Sequence, residues 1–187
     1  YVSGIINYIN PDDLRAFSKK RDYNFAKCDW LGVVIDTFND SQNAVMFWTN
    51  PNGLRSEGTL QNDVVDANTD MSFSWNTFWD AKSSIMENGW SAEVRIPFSS
   101  LRFQVKENKT CMGLTLANYR PASNEMTSFP AIPPEVANAI WKPSNTLMME
   151  FTGLKPEKPL YVTPYITGGI GQVNELNGSE TGYVMNS

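Results

Sequence analysis

Ala81-Lys-Ser-Ser-Ile-Met-Glu87, Asn88-Gly89 and Trp90-Ser-Ala-Glu-Val-Arg-Ile-Pro-Phe98 form the stretch that decides the fold. From Trp90 onward apolar and polar residues alternate strictly. Trp90, Ala92, Val94 and Ile96 fall on one side, and Ser91, Glu93 and Arg95 on the other. Period two is the signature of a strand with one face buried, because successive Cβ atoms point to opposite faces of a sheet. Asn88-Gly89 is the favoured dipeptide of a tight hairpin turn, so residues 81 to 87 are predicted to form the partner strand. Pro97 has no N–H to give a ladder and ends or edges the strand. Ser99-Ser100-Leu101-Arg102-Phe103 then turns the chain toward the next element.

The same reading extends outward in both directions. Trp30-Leu-Gly-Val-Val-Ile-Asp-Thr-Phe38 is short, β-branched and almost wholly apolar, which predicts a central strand buried on both faces. It pairs with the strand from Ala44 to Thr49 across the polar turn Asn39–Asn43. Tyr1 to Ile9 alternates from its first residue, which reads as the middle of a longer chain. A short helix is predicted from Pro11 to about Lys19, with Asn10 as its N-cap. Gly53 to Asp70 is polar and reads as a long surface loop with one weak strand. Met71–Trp75, Met112–Tyr119 and Leu147–Leu154 are further strands, and residues 122 to 145 a Pro-rich irregular loop. The sum is an all-β, antiparallel sandwich of jelly-roll or immunoglobulin-like type. The sandwich spans residues 1 to 155. Residues 156 to 187 are a linker followed by Tyr161–Gly171, read either as the first strand of a membrane β-barrel or as a frayed terminal strand.

Composition narrows the chemistry. The 187 residues carry 15 Lys and Arg against 20 Asp and Glu, a net charge of −5, with no basic stripe of the kind nucleic acids require. There is no histidine, which removes Ser-His and Cys-His nucleophilic systems and the usual zinc sites. Cys28 and Cys111 can be one bridge or two thiols. No apolar run approaches the ~20 residues of a membrane-crossing helix. Glu93 beside Arg95 is the carboxylate to consider for glycoside hydrolysis, but nothing pairs it with a second one, so no catalytic residue is assigned. Asp36 and Asp40 offer oxygen ligands around one tight turn, the chemistry calcium prefers, and are the candidate metal ligands.

The aromatics suggest recognition instead. Indole faces stack on the C–H faces of sugar rings while polar side chains fix the hydroxyls. Trp75 and Trp79 bracket a turn and Trp141 lies in the Pro-rich loop; with Arg120 and Glu125 they form the candidate ligand-binding set. Trp48 and Trp90, on alternating strands, are core residues on this reading.

The series Ile35–Asp40, Ala44 to Phe47, Asn50-Pro51-x-Gly53, Trp75, Trp79, Gly89-Trp90-x-x-Glu93-x-x-Ile96-Pro97-Phe98 and Leu101-Arg102-Phe103 resembles a carbohydrate-binding family 9-like domain. The form it resembles stands at the N-terminus of large Gram-negative outer-membrane β-barrel proteins of uncharacterised function. The similarity covers residues 1 to 165, with Cys111-Met112-Gly113 where Trp-Gly often occurs in the family. It implies a sandwich whose relatives bind sugars by aromatic stacking, sometimes with structural calcium. The expectation is a non-catalytic module of the cell envelope, binding oligosaccharide or polysaccharide and joined to an outer-membrane β-barrel of the same polypeptide. The alternatives are a structural or interaction domain that caps or docks on that barrel without sugar, and a glycoside hydrolase or a module attached to one.

Overall fold

In the computed structural model, which describes residues 1–20, 25–133, 135, 137–156, 164–173 and 182–186, the apolar run at Trp30 becomes the middle of a broad sheet. Ten strands build the sandwich: β1 (Val2–Asn7), β2 (Trp30–Asp36), β3 (Ala44–Thr49), β4 (Arg55–Leu60), β5 (Met71–Ser72), β6 (Asp80–Met86), β7 (Gly89–Arg95), β8 (Lys109–Arg120), β9 (Glu125–Phe129) and β10 (Leu147–Thr152). The small sheet has the order β1-β7-β6; the large one runs β10-β8-β2-β3-β4-β5, with β9 also on β8. Every pairing is antiparallel. The single α-helix among the described residues, α1 (Ala67–Asp70), has four residues. The protein is an all-β antiparallel sandwich.

Period two sorts the core into layers. Leu31, Val33 and Ile35 of β2, Phe47 of β3 and Met112 of β8 face the small sheet, where Ile6, Trp90, Ala92 and Val94 meet them. Trp30 and Val34, with Met46 and Trp48, face the other way, under Leu60, Val64, Ile140 and Trp141. β2 is therefore buried on both sides because loops cover the sheet's outer face as well. Gly32 lies between two indoles: a Cβ there would stand 3.0 Å from both Trp30 and Trp48. On the small sheet Glu93 and Arg95 point to solvent, as their alternation predicts.

Several expectations need correction. The helix after Asn10 is a single 3-10 turn, Pro11–Asp13. Asn10 caps it as predicted, accepting from the Asp12 N–H. It stops because the Arg15 N–H bonds Asp29 Oδ2 at 2.6 Å instead of continuing the helix. The polar stretch after Gly53 is a full inner strand, β4. Its Gly58 leaves room for the Met46 side chain and Ser72 backbone, each 2.6 Å from where a Cβ would lie, and its Glu57 is a buried hydrogen-bonding group. β9 is a strand inside the stretch read as irregular. The hairpin tip is Glu87-Asn88, one residue earlier than the Asn-Gly signal indicates, with Gly89 already opposite Met86 in the ladder. Met71–Trp75 keeps only two residues of strand. Cys28 and Cys111 are separate thiols.

In the tail, Gly169–Val173 pairs with Gly182–Asn186 as an isolated antiparallel ribbon. Residues 164–168 have no regular structure, so of the stretch read as a strand only Gly169–Gly171 is described as one; residues 161–163 lie outside the described residues. Pro164 lacks a ladder donor, and Gly168 has no side chain to pack in a strand interior.

Candidate functional site

β2 ends on Asp36, and that residue shapes the mouth of the sandwich. Its carboxylate is fully buried; Oδ1 accepts the N–H groups of Phe38 and Asp40, each at 3.2 Å, and Oδ2 accepts that of Ser41 at 2.8 Å. Asp40 does the same for the next residues, taking the N–H of Gln42 and Asn43, both at 2.8 Å, and the Asn43 amide at 2.9 Å. Asn39 and Ser41 adopt positive φ to close the turn. Burial pushes the Asp36 carboxyl above the usual range, while the hydrogen bonds from Asn43 and Gln42 bring Asp40 below it despite partial burial. The turn thus fixes Thr37 and Phe38 at the opening between the sheets, with Phe38 44% exposed.

The opposite wall comes from the segment between β5 and β6. Thr77 Oγ1 donates to the Ser100 carbonyl at 3.3 Å and Ser100 Oγ donates to that of Phe78 at 2.6 Å, tying this segment to the 3-10 turn Phe98–Ser100. Trp75 is held half-buried, its ring edge-on to Phe47 at 5.9 Å. Between the walls is a cleft of about 430 Å³, lined by Trp75, Phe38, Thr37, Thr59, Asn76 and Arg102 among others. A second hollow of about 270 Å³ shares Phe38, Thr37, Val45 and Thr59 with it, so Phe38 stands between two linked depressions. Mainly apolar walls with a few polar groups are the usual make-up of a small-ligand site.

Only one of the five candidate ligand-binding residues reaches this cleft, and it is Trp75. Trp79 is a correction: it is 3% exposed, donates its Nε1–H to Glu57 Oε2 at 3.0 Å and packs edge-on to Phe47 at 5.2 Å, so neither face is free for a sugar. Trp141 sits on the outer face of the large sheet, against Trp30 at 5.5 Å and Trp48 at 5.3 Å, beside a separate hollow of about 390 Å³. Arg120 and Glu125 lie at the far end of β8 from Gly113, the residue opposite Asp36, and pair with each other at 3.5 Å. The five do not form one site. Asp36 and Asp40 flank the cleft, but their oxygens serve the turn's own amides. Among the described residues no group of three or more metal-ligating acidic or thiol side chains comes together.

Phe38, Thr59 and Arg102 line the cleft but are not in the candidate ligand-binding set that the sequence offers. Phe38 reads there as the last residue of a strand that in fact stops at Asp36. Arg102, between the buried Leu101 and Phe103, carried the one usable signal: a polar residue flanked by two core residues must point out.

A second cluster, at the other end, is structural. Tyr8 Oη donates to Asp29 Oδ1, the fully buried Asp29 also takes the Arg15 N–H, and the Arg120 guanidinium stands 5.1 Å over the Tyr8 ring. Burial, with Asp29 beside it, raises the Tyr8 phenol; burial also raises Asp29, against the pull of Tyr8 and the Arg15 N–H. Arg120 Nη2 donates to the Asn7 carbonyl at 3.1 Å. Tyr8 gives its N–H to Asn88 of the neighbouring hairpin, so by alternation the backbone groups of Ser3, Ile5 and Asn7 face the outer edge of β1. Arg120 caps one end of that edge.

Comparison with protein-family models, with curated proteins and with solved structures finds no match to this chain. No helix among the described residues is long and apolar enough to cross a membrane, which says nothing of crossing by strands.

Proposed function

We propose that this chain is a non-catalytic, glycan-binding β-sandwich of the cell envelope that holds an oligosaccharide in the cleft at Trp75. The observation that carries the reading is the partly buried indole of Trp75 lining the cleft beside exposed Phe38, with Thr37, Thr59, Asn76 and Arg102 around them. Aromatic faces cover the apolar side of a sugar ring and the hydroxyl and amide groups fix its rim. The absence of histidine and the outward, unpaired placement of Glu93 leave the cleft without an acid–base pair. Titration calorimetry against plant and microbial oligosaccharides tests the reading. Trp75→Ala should weaken binding at least about tenfold, the loss of one good stacking contact. Trp79→Phe should leave affinity unchanged but lower stability by ~2 kcal/mol, because it removes buried volume and the bond to Glu57. Binding lost in Trp141→Ala but not in Trp75→Ala would move the site to the outer face. No binding of any saccharide at millimolar concentration would end the reading.

A second reading, docking on an outer-membrane barrel of the same polypeptide, has its own observation. At the β9–β10 margin Phe129 and Leu147 are exposed on the face toward the small sheet, and Met126 and Met148 on the other. Clustered apolar side chains at a sheet margin mark contact surfaces. A cysteine introduced as Leu147→Cys should label readily in the isolated chain and be protected in intact envelopes. Equal labelling in both would remove the docking reading.

A further inference from the structure

We propose that the cleft selects a carboxylated saccharide, an oligosaccharide containing uronic acid, and that Arg102 holds its carboxylate; this rests on the saccharide reading of the Trp75 cleft. The described arginines supply the argument. Arg15 donates to the carbonyls of Asp12 and Leu14, Arg55 to Asp80 and the Trp79 carbonyl, Arg95 to Asp80, and Arg120 to Glu125 and the Asn7 carbonyl. Arg102 alone among them has neither hydrogen bond nor ion pair with the described residues. Its backbone is anchored, since Leu101 and Phe103 on either side are both buried, yet its side chain is exposed and lines the same cavity as Trp75.

In a chain of net charge −5, a guanidinium with no partner has acidic side chains to choose from elsewhere. Here none of the described ones lines the cleft or the adjoining hollow. Asp36 and Asp40, on either side of the lining residues Thr37 and Phe38, direct their oxygens to the N–H groups of their own turn. Arg102 therefore presents a planar fork of donors to whatever enters, and that fork matches a carboxylate in two parallel hydrogen bonds. A neutral sugar leaves it half-used; a uronate completes it while its ring lies on Trp75. The indole supplies the common sugar affinity and the guanidinium the discrimination.

Oligogalacturonides and their methyl esters separate the two contributions, because the ester keeps the ring and hydroxyls and removes the charge. The acid should bind at least about tenfold more tightly than the ester, the usual strength of a charge-assisted pair. Its affinity should fall as salt rises, because the site opens to solvent. Arg102→Gln should abolish the preference, bringing the acid down to the level of the ester. Arg102→Lys, which keeps the charge but loses the fork, should fall between. Equal binding of acid and ester by the native protein would overturn the inference, as would an Arg102→Gln change that weakens both alike. If neutral glucans or xylans bind through Trp75 while the acid gains nothing, this inference fails and the saccharide reading survives. If no saccharide of any kind binds, both fall.

Discussion

Gly89→Ala should cost the protein about 3–5 kcal/mol, the combined scale of a strained backbone and an overpacked contact that cannot relax. Gly89 has φ +150°, and a Cβ built on it would lie 2.0 Å from the Ile6 carbonyl oxygen and 3.0 Å from the Asn7 Cα. Both are backbone atoms of β1, so no rotamer change relieves the contact. The only escape is for β1 to move away from β7, which breaks the ladder from Val2–Val94 to Asn7–Gly89 and uncovers Ile6 and Trp90 together. Gly53 is the control. It also has positive φ, +72°, but nothing lies within 4 Å of its Cβ position, so Gly53→Ala should cost only about 1 kcal/mol of backbone strain. Thermal unfolding compares them: with ~2–4 °C per kcal/mol at this size, Gly89→Ala should lower the midpoint by roughly 10 °C and Gly53→Ala by only a few degrees. Equal shifts would mean that β1 does not pack against the hairpin as described.

Asp29→Ala should cost about 3 kcal/mol, and Asp29→Asn about 1 kcal/mol or less. The alanine leaves the buried Tyr8 hydroxyl and Arg15 N–H without an acceptor. Asparagine keeps an oxygen for one of them and an amide that can donate to the phenol oxygen. The pair also carries a pH signature. Burial raises the Asp29 carboxyl in the folded state, so the folded protein binds its proton more readily than the unfolded chain. That contribution is fully present below the unfolded value of about 3.9 and is lost as pH rises through the folded value. The stability of the native protein relative to Asp29→Asn should therefore be greatest near pH 3 and decline as pH rises above about 4. The difference between the two proteins cancels Asp36, whose shift has the same sign, and Asp40, whose lowered carboxyl has the opposite one. Denaturant titrations at several pH values give the answer. A difference that grows with pH would mean that the hydrogen bonds from Tyr8 and Arg15 outweigh burial, and that Asp29 is held as a stabilised anion.

The alternation from Trp90 to Val94 and the apolar run from Trp30 to Ile35 were enough to read a sandwich, because strand periodicity is local. Those patterns place Trp90 in the core and Glu93 in solvent, and the structure agrees. The polar strand β4 was not readable: Arg55-Ser-Glu-Gly-Thr-Leu60 has no apolar alternation, and a buried Glu57 needs partners from elsewhere in the fold, the Trp79 indole among them. β9 was hidden likewise, since an edge strand with both faces partly in water has little reason to alternate. Asn88-Gly89 announced a hairpin correctly, but the glycine answers to β1, a partner more than 80 residues away in the chain, and not to the turn.

The site followed the same division. Residue type marked Trp75, Trp79 and Trp141 equally, since an indole suits a core as well as a sugar. Packing alone put Trp79 on Glu57, Trp141 on Trp30 and Trp48, and left Trp75 facing an opening. By itself, then, the sequence determined the class of fold and the buried faces of the strands that alternate, because both rest on the two-residue repeat of an extended chain. The tertiary structure decided which side chains share a cleft and which arginine, among the described residues, has no partner, because those are relations between residues far apart in sequence, and no local pattern encodes a distance across two sheets.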